Sequence, residues 1–181
     1  TAEIAQEFPV IYISQPNRGP AAARNTGISA SKGDLVAFFD HDDLMMPGKL
    51  ETQAEYLLSH SDIGFVLGRE EMQVEPGFEL PDCMKPQPND PRLQTETLPV
   101  VRREVLAAVG GFDPDLWIGE DTEWIGRALA AGFCMHICDQ LTLIHRFHGS
   151  NLTYMNPGIV PAMLEVLRRV TQKRRLYRTA P

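Results

Sequence analysis

Three carboxylates within four residues, Asp40, Asp42 and Asp43, close the apolar run Leu35-Val36-Ala37-Phe38-Phe39 in "LVAFFDHDDLMMPGK" (35–49). Like charges at that spacing repel one another and are costly beside a core. A divalent cation removes the cost, and hard oxygen donors suit Mg²⁺ or Mn²⁺. Mg²⁺ commonly takes one or two carboxylates and completes its shell with substrate phosphates, so two aspartates can suffice on the protein side. The competing reading is a solvated strand end whose aspartates cap the next helix. Asp43, just ahead of "LMMPGK", suits such a cap by itself. His41 is given no chemical role.

Two further sets could do chemistry. Glu120 and Asp121 follow Gly119 and open a helix. Acids in a first helical turn are favoured by the dipole alone, yet a carboxylate there can also take a proton from a hydroxyl. Glu123 is an outside candidate for the same task. Later come His145, Arg146 and His148, then Asn151 and Thr153, which could close the same loop. Cys134, His136 and Cys138 resemble a metal trio, but on a strand the two thiols would lie ~13 Å apart, too far for one ion. Core packing is the better reading. With Cys83 the cysteines are three, few and odd in number, which suits reduced thiols in a cytosolic protein.

These residues need a scaffold. "TAEIAQEF" reads as the end of a helix, and "FPVIYISQP" (8–16) as a β-branched strand closed by Pro16. An Ala-rich helix with Pro20 in its first turn follows, ending at Gly33. The run 35–40 is continuously apolar, as in a strand covered on both faces. A helix opened by Pro47 carries Leu50, Ala54, Leu57 and Leu58 at helical spacing, before a strand over 62–75. Strand and helix in alternation predict a largely parallel sheet. Residues 76–99 hold six of the fourteen prolines and read as a long surface excursion, a lid in function. A strand end and short helix stopped by Gly110-Gly111, a helix over 120–132 with Trp124, Ala128 and Leu129 inward, an extended segment 134–148 and a basic-ended helix complete the chain.

The 181 residues suit one domain (1–181), with 156–181 as a C-terminal helical extension. A net charge of −7 argues against a nucleic-acid partner. No apolar run reaches the ~20 residues of a membrane span. The opening residues lack the basic and apolar regions of a signal peptide, so the expected location is cytoplasmic, including the cytoplasmic face of the membrane. Arg168, Arg169, Lys173, Arg174 and Arg175 read as a solvated helix end that could also meet anionic lipid.

The stretch "NRGPAAARNTGISASKGDLVAFFDHDDLMMPGKLE" resembles the central region of family 2 glycosyltransferases, inverting sugar-nucleotide enzymes of the GT-A fold. The matching positions are Asn17, Gly19, Ala23, Arg24, Asn25, Gly27, Asp40, Asp42 and Asp43. "GGFDPDL", "GEDTEW" and "HRFHGSNLT" resemble the family's acceptor-side, Glu-Asp and Arg-x-His elements, in the right order, so the likeness covers roughly 8–155. It implies an α/β GT-A (Rossmann-like) fold with a mixed, mostly parallel sheet flanked by helices. It implies a catalytic base in the Glu120/Asp121 pair, Asp121 before Glu120, since an inverting transfer needs one carboxylate and no nucleophile. It implies nucleotide-sugar contacts from Asp40 and Arg146, and a Mn²⁺ or Mg²⁺ ion on Asp42, Asp40 and His148. Arg24 and Asn25 are further candidates for nucleotide-sugar contact, with bracing of the aspartate loop or a capped helix face as the alternatives.

The implied partners are a UDP- or GDP-linked sugar donor and a saccharide, lipid-linked or protein acceptor, as in polysaccharide biosynthesis. Peripheral membrane contact and a homodimer stay open. Family members begin with a Pro-x-Tyr-Asn strand, a helix and a strand ending in Asp-Asp-Gly-Ser, for which this chain has no match, so the domain is expected to be N-terminally incomplete. A non-catalytic GT-A-like binding or assembly module is the competing expectation, and a nucleotidyltransferase on a similar sheet a weaker one.

Overall fold

A computed structural model describes residues 2–79, 95–152 and 164–171. The elements are α1 (Ala2–Gln6), α2 (Gly19–Ala30), β1 (Leu35–Ala37), β2 (Leu44–Met45), α3 (Lys49–Ser59), β3 (Ile63–Val74), β4 (Val100–Arg102), α4 (Arg103–Val109), α5 (Glu120–Ala130) and β5 (Cys134–Phe147). Residues 164–171 are helical; the rest of the expected extension 156–181 lies outside the described residues, as do 80–94 of the expected excursion.

One sheet runs in the order β1-β4-β3-β5-β2. Strands β1, β3 and β5 share a direction, while β4 and β2 run against it. The sheet is mixed, and β3–β5 is its one parallel pair of neighbours among the described residues. Counting strand–helix alternation missed β2, because a two-residue antiparallel strand leaves almost no periodic signal, and the strand end expected ahead of α4 is β4.

The expected strand over 8–16 does not form. Val10, Ile11, Tyr12 and Ile13 are exposed and make no ladder among the described residues. A β-branched run has strand propensity, but propensity yields nothing until a neighbour satisfies its backbone groups. Nor is β1 covered on both faces: Val36 and Phe38 are buried, whereas Ala37 and Phe39 face solvent.

Alternate residues of β3 and β4 feed two cores. Phe65 and Val101 join Val36, Val105, Phe112 and Trp124 beneath α2, α4 and α5. Val66 and Val100 meet Leu57 of α3 and Cys138 on the other side. Val166 of the 164–171 helix is fully buried as well.

Helix α3 does not bury the stripe its leucines suggest. Leu50 and Leu58 are exposed, and the inward face is Lys49, Gln53 and Leu57, spaced four apart. Their partner is Glu96, which leaves the 76–99 segment and enters the core. One Glu96 oxygen accepts from Lys49 Nζ and from Thr142 Oγ1 at 3.1 Å; the other accepts from Gln53 Nε2 and from the Gly68 N–H at 2.6 Å. Gly68 has to lack a side chain, since a Cβ there would stand 2.1 Å from Thr142 Oγ1.

Lys49 and Glu96 are each 1% exposed, so removing one leaves a buried charge unanswered. Glu96→Ala is expected to lower unfolding free energy by about 3–5 kcal/mol, while Lys49→Met with Glu96→Gln, which removes both charges and keeps an acceptor for the Gly68 N–H, costs less. Urea denaturation checks it; equal losses for the single and double variants would refute the pairing argument.

Candidate functional site

Helix α2 begins at Gly19, whose φ of +85° suits glycine, and runs through the buried Ala21 and Ala22. Two residues further along it, Arg24 and Asn25, hold the site together. The Asn25 amide pairs twice with the Phe112 backbone, donating to the carbonyl at 2.8 Å and accepting from the N–H at 2.8 Å. This pairing explains Gly111, where a Cβ would sit 2.2 Å from Asn25 Oδ1. From the other side, α5 grips the same turn: Trp124 Nε1 donates to Gly110 O at 2.9 Å, and Arg127 Nη2 to Gly111 O at 2.7 Å. Glu123, fully buried, holds that arginine at 3.0 Å and so braces the fold rather than facing a cleft.

Arg24 lies beside Asn25 and joins the two acidic motifs. Its Nη2 reaches both Asp40 oxygens at 2.8 and 3.1 Å, and its Nη1 donates to Glu120 Oε1. Asp40 ends the β1 segment and Glu120 starts α5, so the strand-end aspartates and the Glu120-Asp121 pair meet at the Arg24 guanidinium. Burial alone would lower the proton affinity of Arg24, but Asp40 and Glu120 outweigh it and raise the guanidinium above its ordinary value. Burial, then the neighbouring Asp121, raise the Glu120 carboxyl above the usual range, and Arg24 only partly offsets them. Asp121 is half-buried and accepts from its neighbour Thr122 through N–H and hydroxyl.

The other half of the cleft comes from the end of β5. Asp43 is buried and accepts the Arg146 N–H at 3.0 Å, while Arg146 Nε donates to the Asp42 carbonyl. Asp43 therefore ties the acidic tip to β5; it caps no helix, and α3 starts after Gly48 with no side-chain cap. Its carboxyl is raised by burial, against the lowering influence of His145 and the Arg146 N–H. His145 stacks on Phe147 and stands 3.8 Å from Glu70. Asp42 Oδ2 lies 3.4 Å from His148 Nε2 and 3.3 Å from Asn151 Nδ2, and His148 Nδ1 is 2.7 Å from Ser150 Oγ.

Of the three residues expected to hold a metal, Asp42 and His148 come together and Asp40 turns to Arg24. Among the described residues no group of three or more His, Cys, Asp or Glu has a metal-holding arrangement. The Asp42–His148 pair still fits a divalent ion whose remaining ligands come from a substrate, since carboxylate and imidazole are both good donors for Mn²⁺.

Arg146, expected at the nucleotide, is fixed beside this pair. Arg24 and Asn25 hold protein groups, Arg24 the two acids and Asn25 the Phe112 backbone. Thr153 lies outside the described residues. Cys138 is buried and His136 stacks on Tyr56 at 3.8 Å, but Cys134 is exposed rather than packed in the core.

Sequence reasoning missed Lys49 and Glu96. With Phe39, Asp40, Asp43 and Leu143 they line a small solvent-open recess under the acidic tip. The one available signal was a lysine where the apolar stripe of α3 needs an inward residue.

This architecture is shared with solved structures at low sequence identity. S. aureus TarS 1–349 in complex with UDP-GlcNAc superposes with a TM-score of 0.65 at 16% identity, over 95% of this chain and 53% of that one. Mannosyltransferase PcManGT from Pyrobaculum calidifontis, in complex with GDP-Man and Mn²⁺, gives 0.67 at 15%, over 94% and 50%. The fold is therefore GT-A, the mixed α/β class of glycosyltransferases.

Sequence relatives narrow the class. A protein of Rickettsia bellii named an uncharacterized glycosyltransferase is 31% identical over 81% of this chain and 22% of its own length. Glycosyltransferase AglE of Haloferax volcanii is 30% identical over 75% and 49%. The family model described as Glycosyl transferase family 2 matches residues 1–104, and the chain belongs to that family. It spans between about a fifth and a half of the length of these two relatives.

The raised Glu120 carboxyl has a consequence for stability. A folded-state value above the unfolded ~4.3 means a contribution fully present below the unfolded value and lost as pH rises through the folded one. The stability of wild type minus that of Glu120→Gln is expected to fall as pH climbs from about 4 toward neutrality. Denaturant titrations across that range check it; a flat difference would contradict the burial argument.

Proposed function

We propose that this chain carries the active site of an inverting glycosyltransferase, which moves a sugar from a UDP- or GDP-linked donor to an acceptor hydroxyl. One observation carries the reading: Arg24 binds Asp40 and Glu120 at once, so both acidic motifs serve one cleft. Family membership supports it, as do fold neighbours whose structures hold UDP-GlcNAc and GDP-Man with Mn²⁺.

In this reading the acceptor oxygen attacks the anomeric carbon from the side opposite the diphosphate. The carbon–oxygen bond to the β-phosphate breaks, its electron pair stays on the departing diphosphate, and the hydroxyl proton passes to Asp121. Glu120 is already held by Arg24 and keeps the α5 start in place. Asp42 and His148 would hold a divalent ion, which when bound neutralises charge developing on the β-phosphate. Arg146, fixed on the Asp42 carbonyl, is the side chain assigned to the pyrophosphate. Asp40 is assigned to the ribose side of the nucleotide.

Two variants of the whole protein separate these roles. Asp42→Asn is expected to abolish Mn²⁺-dependent binding of UDP or GDP in calorimetry. Asp121→Asn is expected to spare that binding and lower turnover by about 10²–10⁴-fold. Unchanged turnover in Asp121→Asn would overturn the base assignment, and absence of metal-dependent nucleotide binding in the wild type would overturn the enzyme reading.

A further inference from the structure

The chain has two tryptophans with opposite environments. Trp124 is fully buried, whereas Trp117 is 47% exposed. Trp117 stands between Leu116 and Ile118, which are 5% and 8% exposed. With both neighbours anchored in the core, the backbone has little freedom to turn the indole inward.

The indole is also seated from below. A Cβ built on Gly19 would lie 3.4 Å from both Cδ2 and Cε2 of Trp117, above the bond that fuses its two rings. One face of the ring thus rests on the glycine that starts α2. Asn17 fixes that glycine by accepting its N–H at 3.0 Å. The result is a large flat apolar surface, held rigidly at the junction of α2 and the segment entering α5. Arg24 of α2 and Glu120 of α5 make their contact from the same two elements.

We propose that Trp117 is the stacking platform for the acceptor saccharide. A pyranose presents C–H groups on one ring face and hydroxyls around its rim, so it can cover an indole while its rim stays hydrogen-bonded. Asp121 is four residues further along the chain, so its Cα lies within about 14 Å of that of Trp117. The proposal requires a sugar ring on the indole to direct a hydroxyl toward that carboxylate. The donor's diphosphate belongs to the Asp42, Arg146 and His148 set, which makes the acceptor rather than the nucleobase the occupant of Trp117. The inference rests on the proposed transferase reading and adds a saccharide acceptor and the residue that selects it.

The test uses the whole protein with Mn²⁺, ¹⁵N-labelled so that the two indole N–H signals report separately. Probes are methyl β-glucoside, methyl β-galactoside, methyl β-N-acetylglucosaminide and methyl α-mannoside, with UDP and GDP titrated in parallel. At least one glycoside is expected to shift the Trp117 signal saturably and leave Trp124 still. Trp117→Ala should weaken that glycoside about tenfold in calorimetry, and Trp117→Phe should recover most of the loss. A Trp117 signal that answers a nucleotide and no glycoside, or that answers nothing, overturns the proposal. If nucleotide binding with Mn²⁺ holds while the glycosides leave Trp117 unmoved, the acceptor platform fails alone; if nucleotide binding itself is absent, the transferase reading fails first.

Discussion

A single guanidinium organises the cleft. Arg24 is largely buried, as is Glu120, while Asp40 stays nearly half open to solvent. Removing a cation and a carboxylate from water costs several kcal/mol per ion, and only well-formed contacts offset it. The contact therefore acts as a register. The α2 helix, the end of β1 and the start of α5 must all be in place before either ion is answered. A lysine is a poor substitute, because Arg24 serves the two acids from two nitrogens held apart in one plane, Nη2 on Asp40 and Nη1 on Glu120. Asn25, the next residue, locks the Phe112 turn, so consecutive positions of one helix hold both loops of the site.

That arrangement also explains how three aspartates coexist at one strand end. Each is answered differently. Asp40 takes the Arg24 fork, and Asp43 takes a backbone N–H from Arg146 with His145 near by. Beneath them, Lys49 and Glu96 form a closed ion pair that adds no net charge to the recess. Asp42 is left facing His148 and Asn151, two side chains that can themselves bind a ligand. The protein thus gives Asp40 a cation and Asp43 a backbone donor, and sets the third carboxylate beside His148 and Asn151. In the proposed transfer, that third carboxylate is the one assigned to the metal.

The sequence made the chemistry more legible than the scaffold. Asp40, Asp42, Glu120, Asp121, Arg146 and His148 stand in short motifs whose order alone suggests a common site, and the Arg24 bridge brings those motifs together. Sheet polarity was not legible, because β2 and β4 are too short to carry a period. The apolar run over 10–13 looked like a strand, since side-chain pattern says nothing about whether a neighbouring strand exists. Lys49 and Gln53 were invisible as inward residues, because their burial depends on Glu96, 43 or more positions away and reached through a proline-rich segment. Asp43 read as a cap for a related reason: its partner is the backbone of Arg146, 103 residues on. Local rules recover what local sequence determines; the misses at Asp43, Lys49 and Gln53 each involved a distant polar contact.

The same electrostatics bear on which acid is suited to accept a proton in the proposed reaction. Glu120 is buried and bound to a fixed cation, so protonating it would leave Arg24 with Asp40 alone. Asp121 is less buried and its contacts come from Thr122, a neutral donor on its own helix turn. Its negative charge bears on Glu120, and a proton arriving at Asp121 removes that repulsion while the Arg24 bridge stays intact. One carboxylate thus maintains the geometry and its neighbour is left to change charge. Adjacent acids in a first helical turn are individually unremarkable, and what separates them is that only one of the two is joined to the strand-end aspartates through Arg24.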